Sequence, residues 1–201
     1  MIKAVIFDFG RVICSFDNAK FIEGISKYTD RSVLELREIL SGTSKIWLNY
    51  EMGVISSNEF FEKVAGMGRL KLSKKQFIKI FSDIFIPIET TYDLVRRLKP
   101  NYKLGMLSNT SEWHFEYGIK PVDIFNLFDA VTLSYEIKAM KPDKKLYSDI
   151  LFKLKAKPEE SVFIDDLKEN IEGAEAVGIK GVQYLSYEKT IEGLRSLDIK
   201  I

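Results

Sequence analysis

Five short apolar runs, rich in valine, isoleucine and phenylalanine, recur along the chain. They lie at residues 5–7, 104–107, 130–133, 162–164 and 181–184. Runs that are apolar on both faces are typical of parallel strands covered by helices on either side. A helix predicted at residues 90–98 leads into the second run. After that run, strand and helix patterns alternate, and helices are predicted at residues 111–117, 143–154, 168–176 and 187–194. This alternation predicts an α/β fold with a parallel sheet and helices on both of its faces.

The segment between the first two apolar runs has a different pattern. Residues 15–87 contain no convincing strand, and their apolar side chains recur every three or four positions, as in amphipathic helices. Ser56 and Ser73 are each followed three residues later by Glu or Gln, which predicts two capping boxes. We therefore predict an α/β core formed by residues 1–14 and 88–201, with an all-helical domain inserted at residues 15–87.

The composition and charge of the chain argue against two classes of partner. The chain has 201 residues, 46% hydrophobic and 29% charged, as is typical of a globular protein. Its apolar runs are far shorter than the ~20 residues that span a bilayer. The 30 basic and 29 acidic residues leave a net charge of +1, which provides no broad electrostatic field. We therefore expect neither nucleic acid nor a membrane as a partner.

Two features predict a cytoplasmic location. Cys14 is the only cysteine of the chain, so no internal disulfide can form, as expected in a reducing compartment. A strand-like run follows Met1 almost at once, and we therefore expect no signal peptide.

Polar residues follow the ends of several predicted strands. Asp8 follows the first run, Ser108 the second, and the pair Asp165 and Asp166 the fourth, while Lys141 precedes a helix after the third. The carboxyl ends of parallel strands line the ligand crevice of open sheets. We therefore expect these side chains to lie together at one edge of the sheet.

Such a cluster suits phosphoryl transfer. Crowded carboxylates repel one another, so a cation should bind among them, and Mg²⁺ prefers oxygen ligands. A lysine and a hydroxyl nearby can hold an anion. Positioning and charge neutralisation do most of the work in phosphoryl transfer, and one carboxylate can act as the nucleophile.

The same segments resemble the four motifs of the haloacid dehalogenase (HAD) superfamily, in the right order and spacing. Residues 134–141 and 162–172 are particularly similar to it. The resemblance implies a Rossmann-like core, and the helical insertion after the first motif is similar to a C1-type cap. Residues 50–56 resemble a cap helix and turn found in the sugar-phosphate phosphatases of the superfamily.

The resemblance implies a role for each motif residue. Asp8 would be the nucleophile, attacking phosphorus in line. Ser108 and the backbone after it would bind the transferring phosphoryl oxygens, with Asn109 shaping that turn. Lys141 would neutralise charge on the nucleophile and the phosphoryl group.

The resemblance also implies a set of metal ligands. Mg²⁺ would be held by Asp8, by the backbone carbonyl of Gly10 and by Asp166. Asp165 would bind the ion either directly or through a water molecule.

One position departs from the family pattern. Most HAD phosphatases carry a second aspartate two residues after the nucleophile, as general acid and base, but this chain has Gly10 there. Proton transfer of this kind contributes roughly 10²- to 10⁴-fold in rate. The same Asp-x-Gly-x-Val form occurs in a branch that resembles the α-D-glucose-1-phosphate phosphatases. Asp17 is a candidate substitute acid; its alternative role is to cap the helix that begins near Asn18.

The sequence therefore predicts a Mg²⁺-dependent phosphatase acting on a small phosphorylated metabolite, with a sugar phosphate favoured, in a monomer or weak homodimer. The alternative is a catalytically impaired protein that binds a phosphorylated ligand or a protein partner. Dehalogenase or phosphonatase chemistry is disfavoured, because the expected first motif and a cap lysine are missing. Arg11 is expected either to face the phosphate or to form a surface ion pair, and His114 is expected to be exposed.

Overall fold

The computed structural model describes the backbone of residues 1–201 and every side chain except that of Ser44. Its strands are β1 (Ala4–Phe7), β2 (Cys14–Phe16), β3 (Phe85–Pro87), β4 (Lys103–Ser108), β5 (Ala130–Leu133), β6 (Ser161–Asp165) and β7 (Lys180–Gln183). Five strands form one parallel sheet in the order β5-β4-β1-β6-β7, and β2 pairs with β3 in an antiparallel ribbon. The predicted parallel sheet is confirmed, and each predicted strand lies within about a residue of its observed bounds.

The helices fall into two groups. Those between β2 and β3, called here the inserted helices, are α1 (Asn18–Ser26), α2 (Val33–Ser41), α3 (Ser44–Glu51), α4 (Ser57–Gly68) and α5 (Lys74–Ser82). The others are α6 (Glu89–Leu98), α7 (Glu112–His114), α8 (Ser134–Ile137), α9 (Lys144–Leu154), α10 (Lys168–Ala176) and α11 (Tyr187–Ser196). Among the described residues, no helix combines the length and the apolar character that crossing a bilayer demands.

The central strand β1 is buried on both faces, as its apolar run predicts. Val5 and Phe7 pack in a cluster with α6 and α11, whereas Ala4 and Ile6 pack in a second cluster with α9 and α10. Each fully buried side chain of this size contributes roughly 1.5–3 kcal/mol. Because successive side chains point to opposite faces, one short strand anchors both helical layers.

Strand register aligns the polar residues that follow the strands. Phe7 lies beside Met106 of β4 and Ile164 of β6. The residues just beyond these positions therefore emerge together at the carboxyl edge of the sheet. The backbone N–H of Asp8 still donates to the carbonyl of Ile164, at 2.8 Å, which ties the end of β1 to that of β6.

The inserted helices enclose an aromatic cluster of their own. The buried aromatic members that the inserted helices contribute are Phe21, Tyr50, Phe60, Phe77 and Phe81. The rings pack edge to face or stacked, with centroids as close as 4.2 Å for Tyr50 and Phe60. Both predicted capping boxes are confirmed, at the starts of α4 and α5.

Three features differ from the predicted pattern. Strand β2 crosses the first predicted limit of the insertion, and β3 occupies its last three residues, so the segment 15–87 is not purely helical and its limits stay a prediction. With three residues each, β2 and β3 are too short to show alternation in the sequence. The start of helix α3 has no predicted capping signal, since its N-cap residue Thr43 makes no side-chain capping bond. The predicted helix 111–117 is a single turn, α7, continued by a π-helical turn at Phe115–Ile119.

Ring stacking and hydrogen bonds attach the inserted helices to the rest of the fold. The ring of His114 stacks on that of Phe81 with centroids 3.9 Å apart, and its Nε2 lies 3.1 Å from the carbonyl oxygen of Phe81. The turn after α3 contacts the residue that ends α8: Lys138 donates to the carbonyl of Gly53. Gly53 has φ +61°, and a Cβ there would lie 2.2 Å from the carbonyl oxygen of Tyr135.

Gly53→Ala is therefore expected to destabilise the protein by about 2 kcal/mol or more, because it adds both left-handed strain and a clash with backbone. Gly66→Ala is the matched control. Gly66 lies in α4 with no atom within 4 Å of an added Cβ, so alanine there should stabilise the protein by about 0.5–1 kcal/mol. Denaturant unfolding measures both. Equal effects of the two substitutions would contradict the described contact.

Candidate active site

A buried lysine joins two carboxylates at the carboxyl edge of the sheet. The Nζ of Lys141 lies 2.7 Å from Oδ1 of Asp8 and 2.6 Å from Oδ2 of Asp165. The side chain of Lys141 is only 2% exposed, and that of Asp165 is fully buried. The structure thus brings together the residue that follows β1, the last residue of β6 and a residue before α9, as the sequence predicts.

The position of Asp165 is fixed by further donors. Its Oδ1 accepts from the backbone N–H of Leu167 at 2.9 Å, and the Nδ2 of Asn170 lies 3.0 and 3.1 Å from its two oxygens. Asn170 belongs to the first turn of α10. With Lys141 on its other side, the Asp165 carboxylate is nearly saturated by protein donors.

Asn109 holds the backbone of Lys141 in place. Its Oδ1 accepts from the backbone N–H of Lys141 at 2.9 Å, and its Nδ2 lies 3.4 Å from the carbonyl oxygen of Lys141. Ser108, at the end of β4, is 3% exposed. The three residues predicted to bind phosphate therefore lie in one connected segment: Ser108 ends β4, and Asn109 after it holds the backbone of Lys141.

Burial raises the pKa of Asp8 to about 6, because the attraction of Lys141 only partly offsets desolvation and Asp165 adds repulsion. For Lys141, burial alone would lower the pKa, but Asp8 and Asp165 outweigh burial and raise it. Lys141 is therefore a permanent cation at neutral pH. Burial also raises the pKa of Asp166, with repulsion from Asp165 as the next cause.

Asp8, Asp165 and Asp166 can each direct one carboxylate oxygen to within 4.8 Å of the others. This all-oxygen donor set suits a hard divalent cation such as Mg²⁺. The side chains of Asp8 and Asp166 are 12% and 18% exposed, whereas Asp165 is enclosed by its own donors. The set therefore fits a cation held chiefly by Asp8 and Asp166.

Arg11 forms a loose ion pair near this set. Its NH1 lies 3.7 Å from Oδ2 of Asp166, and its side chain is 64% exposed. Of the two predicted roles, the structure shows the ion pair. Surface pairs of this kind contribute little stability.

A cavity of about 700 Å³ lies between the inserted helices and this edge of the sheet. Gly10, Ser108 and Asn109 form part of its wall, next to Asp8. Most of the remaining wall is aromatic or aliphatic: Phe9, Phe16, Phe21, Ile22, Leu40, Trp47, Leu48, Phe81, Ile84, Phe85 and Ile119. Its other polar side chains are Asn18, Arg37, Ser41, Glu51, Thr110 and His114.

Sequence reasoning missed two residues of this wall. The prediction that His114 is exposed is wrong, since its ring stacks on Phe81; burial lowers its pKa to about 4, so the ring is neutral at pH 7. Glu51, at the end of α3, carries a carboxyl whose pKa burial raises to about 7. The resemblance of residues 50–56 includes Glu51 but gives it no role, and no local pattern marks His114. Each owes its environment to contacts between distant segments.

The candidate substitute acid Asp17 is occupied elsewhere. Its Oδ1 accepts from the backbone N–H of Ala19 at 2.9 Å, which makes it the N-cap of α1. Among the described residues Asp17 is not part of the cavity wall, although its neighbour Asn18 is. The helix-capping role is the one that the structure shows.

The chain is similar to several characterised proteins. It is 23% identical over 190 residues to the D-ribitol-5-phosphate phosphatase of Bacteroides thetaiotaomicron, covering 91% of this chain and 92% of that protein. It is 25% identical over 207 residues to the sesquiterpene phosphatase astK of Aspergillus oryzae, covering 97% and 96%. It is 25% identical to drimenol cyclase drtB of Aspergillus calidoustus, but spans only 34% of that protein's length.

Solved structures share the fold. The HAD family enzyme BT-2542 of Bacteroides thetaiotaomicron, solved with magnesium and inorganic phosphate, has a TM-score of 0.77 and 26% identity, covering 91% of this chain and 94% of that one. The family model described as haloacid dehalogenase-like hydrolase matches residues 5–183. That match contains every residue of the cluster around Lys141. The chain is therefore a member of the haloacid dehalogenase-like hydrolase family.

Proposed function

We propose that this HAD-like hydrolase is a Mg²⁺-dependent phosphatase that acts on a small phosphorylated metabolite through an aspartyl-phosphate on Asp8. The observation that carries the proposal is the buried contact of Lys141 with Asp8 and Asp165, at 2.7 and 2.6 Å. A fixed cation beside a buried carboxylate provides both a nucleophile and charge neutralisation for a phosphoryl group. Similarity to characterised phosphatases supports the same reaction class.

In the proposed reaction, a carboxylate oxygen of Asp8 attacks phosphorus and the bond from phosphorus to the leaving oxygen breaks. Water then attacks the phosphoryl group, the bond to Asp8 breaks, and inorganic phosphate and the Asp8 carboxylate are released. Ser108 and the turn at Asn109 would bind the phosphoryl oxygens. Lys141 would stabilise negative charge throughout, since its own pKa is raised.

Asp8, Asp166 and the Gly10 carbonyl would hold the metal, and Asp165 would contribute through a water molecule because its oxygens already accept from protein donors. When bound, Mg²⁺ would supply positive charge to the phosphoryl oxygens and the nucleophile. The BT-2542 structure with magnesium and phosphate supports this choice of metal.

Asp166→Asn is expected to weaken Mg²⁺ binding on the order of 10- to 100-fold, because it removes the charge of one ligand. Isothermal titration of the purified protein with Mg²⁺ measures the change. Asp17→Asn is the control, since asparagine also caps helices and Asp17 is not one of the three clustered carboxylates. Equal Mg²⁺ affinity of Asp166→Asn and the unmodified protein would contradict the ligand assignment.

Two classes of phosphate ester are candidate substrates of the proposed phosphatase. A sugar phosphate is predicted from the resemblance of residues 50–56 and is supported by similarity to a ribitol-phosphate phosphatase. The mainly aromatic and aliphatic wall of the cavity favours instead a phosphate ester with an apolar organic group. Similarity to a sesquiterpene phosphatase supports this second candidate.

Phosphate release from a panel of sugar, aryl and prenyl phosphates tests the proposed activity. We expect Mg²⁺-dependent turnover that Asp8→Asn abolishes, because asparagine cannot form the aspartyl-phosphate. The Asp17→Asn variant should retain activity. Absence of turnover across the panel, despite binding of Mg²⁺ and phosphate, would favour the alternative of an impaired HAD-like protein that binds a phosphorylated ligand or a protein partner.

The cytoplasmic location, the monomer or weak homodimer and the absence of a nucleic-acid partner stay predictions from the sequence.

We further propose that the inserted helices act as a cap that excludes water from the reacting groups, since they form one wall of the cavity.

A further inference from the structure

We infer that Glu51 is the general acid and base of this phosphatase, taking over from α3 the role that Gly10 cannot perform. This inference rests on the proposed function. It assigns a catalytic residue to the inserted helices, where the sequence offered only Asp17.

A proton donor is needed for most phosphate esters. An alkoxide is a poor leaving group, and its departure is assisted by a proton on the bridging oxygen. Gly10 has no side chain, and among the described residues the acidic side chain that forms part of the cavity wall is that of Glu51. Glu51 shares this wall with Gly10, Ser108 and Asn109.

The backbone of Glu51 is tied to the predicted phosphate-binding turn. The Oγ of Ser134 lies 2.6 Å from the carbonyl oxygen of Glu51 and 2.9 Å from both the N and the O of Thr110. One buried hydroxyl therefore connects the end of α3 with the residues that follow Ser108. Catalytic groups need positioning of this kind, because small displacements cost large factors in rate.

A second contact fixes the turn that follows. Lys138 donates to the carbonyl of Gly53, and Gly53 approaches the carbonyl of Tyr135 more closely than any side-chain-bearing residue could. The inserted helices are thus attached to the sheet domain at Glu51 itself and, two residues later, at Gly53. Its location in the cavity does not depend on the inserted helices alone.

The surroundings of Glu51 allow both protonation states. Burial raises its pKa to about 7, close to the value that serves best for proton transfer at neutral pH. No described donor lies within hydrogen-bond distance of its carboxyl. Burial is the one cause of this pKa shift, with no contribution from a neighbouring charge. The charged side chains of adjacent segments have other partners or are exposed: Lys138 binds Gly53, Glu112 pairs with Ser57, and Arg37 lies exposed at the cavity wall.

Glu51 gives one proton and takes one back in each catalytic cycle. Neutral Glu51 gives its proton to the leaving oxygen as Asp8 bonds to phosphorus, which releases an alcohol. The Glu51 carboxylate next takes a proton from the water that attacks the aspartyl-phosphate. Phosphate leaves, the Asp8 carboxylate is restored, and Glu51 is neutral again.

His114 and Asp17 are weaker candidates for this role. The His114 ring stays neutral because its pKa is lowered to about 4, and its Nε2 lies against the carbonyl of Phe81. Asp17 caps α1 and is not part of the described cavity wall.

Glu51→Gln tests the inference, because glutamine keeps the shape and removes the proton transfer. We expect kcat/KM for an alkyl phosphate to fall on the order of 10²- to 10⁴-fold, and kcat/KM for p-nitrophenyl phosphate to fall by less than about tenfold. The nitrophenolate leaves without a proton, so stopped-flow mixing should show a burst followed by slow turnover. Adding Gly10→Asp to Glu51→Gln should recover part of the alkyl phosphate rate.

The pH profile provides a readout that a structural role would not change. For the unmodified protein, kcat/KM for the alkyl phosphate should fall as pH rises through about 7, where Glu51 loses its proton. This fall should be absent in Glu51→Gln and retained in Asp17→Asn.

Two outcomes overturn the inference in different ways. Equal losses on both substrates in Glu51→Gln, or no loss, with activity still abolished by Asp8→Asn, would contradict the role of Glu51 alone. No phosphate release by the unmodified protein from either substrate would contradict the proposed function and the role of Glu51 with it.

Discussion

The ammonium of Lys141 is the contact on which the rest of the site depends. It lies between Asp8 and Asp165, with almost no access to solvent. Without it two buried carboxylates would repel each other, and leaving a buried charge uncompensated costs about 3–5 kcal/mol. The parallel register of β1 with β4 and β6 makes this contact possible, because the register brings the carboxyl ends of the three strands side by side. The buried layers on both faces of β1 hold that register.

The inserted helices form the part of the cavity wall that the sheet edge does not provide. The edge supplies carboxylates and one cation but no proton donor at Gly10. Ser134 and Lys138 hold the end of α3 against the sheet domain, so that Glu51 and the aromatic wall face the same cavity as Ser108. In the proposed reaction, the sheet domain would bind and transfer the phosphoryl group, and the inserted helices would supply the proton and contact the organic group.

Much of this arrangement could be predicted from the sequence. Runs apolar on both faces indicate parallel strands, and the carboxyl ends of such strands converge, so Asp8, Lys141 and Asp165 could be expected to meet. Glu51 and His114 could not be found in this way. Their environments arise from contacts such as Ser134 with Glu51, 83 residues apart, and His114 with Phe81, 33 residues apart. Local periodicity carries no information about how inserted helices dock onto a sheet.

Trapping the covalent intermediate tests the central claim most directly. The protein would be mixed with Mg²⁺ and an aryl phosphate, quenched in acid within the first turnovers, digested, and analysed by mass spectrometry. The account predicts that the peptide containing Asp8 gains the mass of one phosphoryl group, and that this gain disappears in Asp8→Asn. A protein that releases phosphate while its Asp8 peptide stays unmodified, or that carries the phosphoryl group on another residue, would contradict the account.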